Sequence, residues 1–368
     1  MQLLDSLQTQ LATIPQPLQI SIEDIIHKVE IVSHHCIKHP NYKSLELTPQ
    51  AAERFEKLPL ELQKKYLAVQ LRSFLYGVYY NGSLKEDLNL PGDEQSKNVA
   101  LNQNLENNSF LGVDINFYDR LHESNRGEGY WSDDWLIVKE EIDGALAVHK
   151  GGLTIHIERE RHLKPKDQAV TVGNLVAIKL PKNVVQNGFY MAVGNAAAHA
   201  DQEIVRIYFN LSPEGAVAVM DALTTQLNAL STAFTFKALY NPSDYGRCDS
   251  AVLYFDKHNY ETVRPVLATV YTENKSNFGE SVPLFTKLLA PGLSLAEEPN
   301  SKFTERESFG MNRCQIIANA LLDVWQQDND TPAGRLESIL KHFAMQEIEL
   351  QRPYLNPHSE DIFTPLEF

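Results

Sequence analysis

The sequence predicts an α+β fold, an antiparallel sheet with segregated helices preceded by a mainly helical N-terminal region. Apolar residues recur at helical spacing in the first hundred positions; short β-like runs divided by Gly-containing turns follow; beyond residue 204 strands alternate with helices. At about 150 residues per domain, 368 residues favour two domains or more. The change of pattern divides the chain into a mainly helical region, residues 1–125, and an α+β region, residues 126–368.

In the first region apolar positions fall at three- and four-residue steps over Ile20 to Ile37 and Leu60 to Tyr80, which predicts helices. Glu94 to Asn108 is polar, Asn-rich and aperiodic, the pattern of a surface loop. From Tyr130 to Met191 the runs Trp135–Val138, Leu146–His149, Leu153–Ile157, Leu175–Ile178 and Gly188–Val193 read as one small antiparallel sheet. Asp143-Gly144 and Gly151-Gly152 serve as its hairpin turns. Ile204–Asn210, Phe234–Leu239 and Ser250–Phe255 are three further strands. Ser212-Pro213-Glu214 opens a helix with a cap, a first-turn proline and an acid at the positive end of the dipole. Ala290 to Pro299 reads as a turn-rich connection, and Ser308–Trp325 and Arg335–Ile348 as helices. The tail after Gln351, with Tyr354, Phe363 and Phe368 among its prolines, is aromatic enough to pack back on the body. There is no internal repeat.

Forty-eight acidic against 33 basic side chains leave a net charge of −15, so general binding to nucleic acid or an anionic membrane is excluded and phosphate chemistry requires a local cation cluster. Cys36, Cys248 and Cys314 are distant and in no CxxC pair, which indicates reduced packing residues rather than disulfides or zinc. His149, His156 and His162 form no standard metal motif and read as exposed or strand-face residues; no metal and no cofactor is expected. The chain shows no signal peptide and no membrane-length apolar stretch, which predicts a cytoplasmic protein. The P-loop, dinucleotide, kinase, zinc-protease and nucleophile-elbow signatures are all missing from the sequence.

Strict alternation places Val205, Ile207 and Phe209 on one face of their strand and Arg206, Tyr208 and Asn210 on the other, a cation, a phenol and an amide in line. That polar face is either a site or the solvated side of a half-buried strand. The next strand holds a single lysine, Lys237, in an apolar and aromatic run, where a lysine either snorkels or serves chemistry. Arg247 follows in a turn between Asp244 and Asp249, where a surface salt bridge is the alternative, and Tyr254 lies on the third strand. Lys287 ends an extended piece, and Arg313 lies near the anion-attracting start of a helix. Burying Arg206, Arg247 and Arg313 together would require an anionic guest, and phosphate is the natural one.

From about Trp131 to Ala320 the chain resembles the HopA-type effector family. The resemblance rests on Gly188-Phe189-Tyr190-Met191-Ala192, Arg206-Ile207-Tyr208-Phe209-Asn210, Phe236-Lys237, Arg247-Cys248-Asp249 and Leu253-Tyr254. It continues through Val282-Pro283-Leu284-Phe285-Thr286-Lys287, Ala290-Pro291-Gly292, Leu295-Ala296-Glu297 and Ser308-Phe309-Gly310-Met311-Asn312-Arg313-Cys314. Members of that family are type III secreted effectors of plant pathogens or stand-alone bacterial proteins, and some act beside a kinase in lanthipeptide pathways. The family is remotely similar to the phosphothreonine lyases. The resemblance therefore implies a metal-independent carbon–oxygen lyase that removes phosphate from phosphoserine or phosphothreonine in a peptide or protein and leaves a dehydroamino acid, with a peptide kinase as a possible partner. Carried over by position, Lys237 stands at the base. Arg206 stands for the first lysine of the lyases' Lys-x-His pair and Tyr208 for its histidine, while Arg247 and Tyr254 grip phosphate. Lys287 and Arg313 are weaker matches to further phosphate ligands, and Asn210, from the polar face of its strand, joins them as a substrate-binding residue. Tyrosine in place of histidine departs from the lyases, since a phenol is a much weaker acid. The other reading is a non-catalytic protein that holds a phosphorylated or acidic partner through the same cations; whether Lys237 lies in an apolar-walled cleft or in the open discriminates between them.

Overall fold

The computed structural model describes residues 11–85, 112–198, 203–327 and 329–367; the expected loop at Glu94–Asn108 and Phe368 lie outside them. Helix α1 (Gln16–Lys28) buries Leu18, Ile22, Ile25 and Ile26. The helical spacing expected to run on to Ile37 stops there, because β-branched residues take over and a three-stranded antiparallel sheet follows. Its strands are β1 (Glu30–Ser33), β2 (Cys36–His39) and β3 (Tyr42–Glu46), with Ile31 paired to Ile37. The N-terminal region is thus mixed rather than mainly helical up to residue 46. Helices α2 (Pro49–Phe55) and α3 (Leu60–Leu75) come next, and α3 runs into a π-helical turn, Tyr76–Tyr80.

Helix α4 (Ile115–Ser124), capped by Asp114, leads to the expected small sheet, whose order is β6-β5-β4-β7. Its strands are β4 (Tyr130–Glu140), β5 (Leu146–Lys150), β6 (Leu153–Ile157) and β7 (Leu175–Leu180), with the short helix α5 (Arg159–His162) before β7. Trp135, Ile137, Leu146, Val148, Ile157, Leu163, Val176 and Ile178 form a core of their own there.

The run at Gly188–Val193 belongs elsewhere. As β9 (Phe189–Val193), with β8 (Asn183–Gln186) beside it, it joins a seven-stranded antiparallel sheet. That sheet continues through β10 (Ile204–Phe209), β11 (Phe234–Leu239), β12 (Ala251–Asp256), β13 (Lys287–Ala290) and β14 (Leu293–Glu297), in the order β13-β14-β10-β12-β11-β9-β8. Helix α6 (Pro213–Ala229) starts as its sequence predicts, with Ser212 Oγ accepting from the Gly215 N–H at 3.1 Å. Helix α7 (Tyr260–Asn274) carries Pro265 inside it, and Tyr260, Val263, Leu267, Val270 and Tyr271 bury a helical stripe. The supposed connection at Ala290–Pro299 is instead the β13–β14 hairpin and the residues after it. Gly292 is required at its turn: φ is +72°, and a Cβ there would meet Gly279 O at 2.1 Å. Helices α8 (Phe309–Gln326) and α9 (Pro332–Met345) complete the fold.

Both faces of the large sheet are covered. On one, Phe209 meets Phe236 and Phe278, and Phe278 packs on Tyr271 of α7. On the other, Tyr208 packs edge-on against Tyr80 of the π turn and beside Phe309 of α8. Arg206 and Tyr208 are buried, so the solvated-face reading of β10 is wrong. Apolar side chains of α1, α3, the large sheet and the tail share one continuous core. No helix among the described residues is long and apolar enough to cross a membrane.

Candidate functional site

Antiparallel register builds the site. Tyr208 on β10 pairs with Val252 on β12, and Val252 pairs with Lys237 on β11, so the three side chains form a row on one face. With strands about 4.8 Å apart, the Tyr208 and Lys237 backbones lie about 10 Å from each other across Val252. One pleat along, Arg206, Tyr254 and Thr235 make a parallel row. The Tyr254 ring lies close to two cations, with the Arg206 guanidinium at 5.1 Å and the Lys237 ammonium at 5.6 Å from its centroid; Lys237 also lies 4.3 Å from the centroid of Phe189.

The second row, together with Lys237, floors a cleft of about 1310 Å³. Its floor carries Arg206, Lys237, Thr235 and Tyr254; Arg72, Glu298, Lys302, Arg306 and Ser308 line its walls. Arg206, Lys237, Tyr254 and Ser308 also line a smaller pocket of about 10 Å³ beneath, the room of one water, together with Tyr208, Arg247, Asp249, Tyr76 and Tyr80. Lys237 therefore lies buried between cleft and pocket, against aromatic walls.

The charges are compensated from within. Arg206 is ion-paired through Nε with Glu298, whose other oxygen lies 2.5 Å from Lys302 Nζ. Arg247 grips Asp249 in a fork, Nε to Oδ1 at 2.5 Å and Nη2 to Oδ2 at 2.8 Å, and Tyr76 donates to the same Oδ2 at 3.2 Å. The expected salt bridge of Arg247 exists, but it is buried rather than at the surface. Burial alone would raise the Asp249 carboxyl; Arg247, Lys237 and Tyr76 outweigh it and hold the group below its ordinary value. Burial pushes the Tyr208 phenol up, with Arg206 opposing only in part. Neither Tyr208 Oη nor Tyr80 Oη has a hydrogen-bond partner of normal geometry among the described residues.

Five of the eight expected residues converge here: Lys237, Tyr208, Arg206, Arg247 and Tyr254. The other three do not. Asn210 lies past the end of β10 and donates to Ser281 O at 2.9 Å in the turns beside Gly279. Lys287 pairs with Asp361 at 2.7 Å and donates to Phe363 O at 2.6 Å, pinning the tail. Arg313 is buried against the same tail, giving Nε to Pro353 O at 2.8 Å, Nη2 to Leu355 O at 3.0 Å and Nη1 to Asn312 Oδ1 at 2.6 Å. The buried Arg313 gives its donors to those three oxygens, and burial lowers its pKa to about 10. Arg313→Ala leaves those carbonyls without donors and is expected to cost about 2–4 kcal/mol of stability, as buried hydrogen bonds to a charged group do. A urea unfolding midpoint compared with wild type measures it.

Tyr76 and Tyr80 were missed. The run Tyr-Gly-Val-Tyr-Tyr looks helical, and its i, i+4 spacing puts the two rings on one side of the turn, 4.8 Å apart, but nothing in the run says which face of the sheet they cover. Asp249 entered only as a salt-bridge partner; its i+2 spacing from Arg247 across a turn was the available signal. His149 bonds Thr154 Oγ1 at 2.8 Å, His156 lies 3.6 Å from Glu141 and His162 meets Glu158 O at 3.1 Å. Among the described residues no group of three His, Cys, Asp or Glu side chains is placed to hold a metal ion. The tail does pack back: Tyr354 and Phe363 are buried, and Phe363 stands edge-on to Tyr260.

Residues 180–355 match the HopA1 effector protein family. Among solved structures, the chain is similar to the effector protein from Pseudomonas syringae pv. tomato strain DC3000, at 18% identity and a TM-score of 0.39, covering 66% of this chain and 80% of that one. It is also similar to the effector protein from Pseudomonas syringae pv. syringae strain 61, at 14% identity and a TM-score of 0.40, covering 66% and 81%. No curated protein matches the sequence. The matched segment runs from just before β8, through the whole of the large sheet and α9, into the tail that Arg313 holds, and across those residues the chain is similar to the HopA1 effector protein family.

Proposed function

We propose that the cleft takes a phosphorylated segment of a peptide or protein and that the protein is a phosphoserine or phosphothreonine lyase. The observation that carries the reading is the row Tyr208–Val252–Lys237 beside Arg206, with Lys237 and Arg206 lining both the cleft and the inner pocket and Tyr208 and Val252 lining the pocket. Lys237 Nζ takes the proton from the substrate Cα. The electron pair left behind forms the Cα–Cβ double bond, and the Cβ–O bond breaks with its electrons leaving on phosphate. Arg206 and Arg247 neutralise that charge, and Tyr208 Oη gives a proton to the departing oxygen. Because Tyr208 faces only the inner pocket, that step requires the pocket to widen when substrate enters. A kinase acting earlier supplies the phosphorylated substrate.

The test is incubation with phosphothreonine and phosphoserine peptides, no metal added, with product mass as readout. Loss of the elements of phosphoric acid supports the lyase; loss of the phosphoryl group alone, or no change, rejects it. Tyr208→Phe is expected to leave stability within about 1 kcal/mol of wild type, because its buried hydroxyl meets the Tyr80 hydroxyl in a weak contact and has no partner of normal hydrogen-bond geometry among the described residues. Elimination falls by about 10²–10⁴-fold if the phenol is the acid. Parallel melting curves and rate measurements separate the two effects.

A second reading, a non-catalytic phosphopeptide binder, draws on a specific observation. Arg206 and Arg247 each already have a carboxylate partner, and the Lys237 ammonium rests on two ring faces, an arrangement built to hold charge in place.

A further inference from the structure

The cleft contains a carboxylate where an anionic ligand would have to sit. Glu298 presents one oxygen to the Arg206 guanidinium and the other to the Lys302 ammonium, 2.5 Å away, and all three residues line the cleft. Arg206 lies at the boundary with the inner pocket, beside Tyr254 and within the same lining as Lys237. Two oxygens bridging two cations is how a phosphoryl group is bound, and a carboxylate satisfies the same donors.

The backbone holds Glu298 there. Its N–H donates to Ile204 O at 2.8 Å, and its carbonyl accepts from Asn356 Nδ2 at 2.8 Å, so the side chain swings from a fixed base. The neighbouring Glu297 is consumed differently. It pairs with Lys257 at 2.7 Å and accepts from Ser359 Oγ and the Asn356 N–H, a lock on the tail with no part in the cation pair.

We propose that Glu298 is an internal stand-in for substrate phosphate. It keeps Arg206 charged, oriented and occupied in the empty cleft, and it is displaced when a phosphorylated ligand arrives. The inference rests on the phosphate reading of the cleft and adds a selectivity device. A ligand must outcompete a tethered carboxylate, so a dianionic phosphoryl group enters where a singly charged aspartate or glutamate of a passing peptide does not. The apparent affinity is reduced by the fraction of time Glu298 occupies the cations.

Titration calorimetry with inorganic phosphate, which has no leaving group to eliminate, tests this on the full chain. Glu298→Gln keeps the shape and one acceptor for Arg206 but loses the charge; phosphate is expected to bind about tenfold tighter or better. Removing any negative charge near the cleft also favours an anion, so two further variants isolate displacement. Glu298→Asp keeps the charge but is too short to reach Arg206 from its clamped backbone, and it is expected to bind more tightly than wild type. Glu203→Gln removes an acid of the same cleft lining without releasing Arg206, so it reports the general charge effect alone, and it is expected to raise affinity less than Glu298→Asp does. Melting curves confirm that each variant is folded. If wild type binds phosphate and Glu298→Asp binds equally or less well, the stand-in is overturned and the phosphate site stands. If neither wild type nor any folded Glu298 variant binds phosphate, both are overturned.

Discussion

Lys237→Ala is expected to reduce elimination from a phosphothreonine peptide by about 10²–10⁴-fold, the usual contribution of a positioned general base. The fold should survive. Lys237 lies on the sheet face between Phe189, Tyr254 and Val252, and Asp249 keeps Arg247 and Tyr76 as direct partners when the ammonium is gone. The informative companion is Lys237→Arg, which keeps a cation over the same rings but holds its proton at any working pH. If Lys237 is the base, Lys237→Arg binds phosphopeptide and makes no product. If Lys237 only holds an anion, arginine substitutes for it, and product formation, where wild type shows any, continues. Product mass and a binding isotherm on the three proteins decide between the two readings.

Asp249→Ala is expected to cost about 3–5 kcal/mol of stability, because it leaves the Arg247 guanidinium, 1% exposed, with no countercharge in its fork. Asp249→Asn keeps the shape and loses the charge, and it should fall between that variant and wild type. The pair also sets an acid limit. The folded protein holds the Asp249 carboxyl below its unfolded value of about 4, so its contribution is complete above that pH. It is lost as pH falls through the lower folded value. Melting temperature against pH measures this: the acid arm of wild type should be steeper than that of Asp249→Asn. Equal slopes would mean that the pair is not what acid breaks.

The parts of the fold that were legible in the sequence are those where local and global preferences agree. Strict alternation gave β10 both of its faces, and Ser212-Pro213 gave α6 its start, because pleat and cap chemistry are local. The hairpin at Pro291-Gly292 was half legible: its turn showed, while its strands are short and one is bulged. Residues around the cleft were legible when they sat on strands whose register could be aligned, as with Arg206, Tyr208, Lys237 and Tyr254. Arg313 shows the limit. Its place in the first turns of α8 was correct, but its partners are carbonyls at Pro353 and Leu355, and nothing near a helix start announces a contact 40 residues onward. Lys287 fails for the same reason, since it faces Asp361 across the sheet margin.

The tail that these two cations fasten has a consequence for how molecules of this protein meet each other. Strand β13 is the last in the sheet, with the partly exposed Leu288 upon it, and beyond it the Leu366 N–H donates to Leu289 O at 3.0 Å. An uncovered margin of that kind offers a template on which an extended segment of another molecule can add as an extra strand. Lys287 and Arg313, set away from the cleft, thereby keep the margin dressed: loosening either fastening is expected to bare the edge and favour self-association.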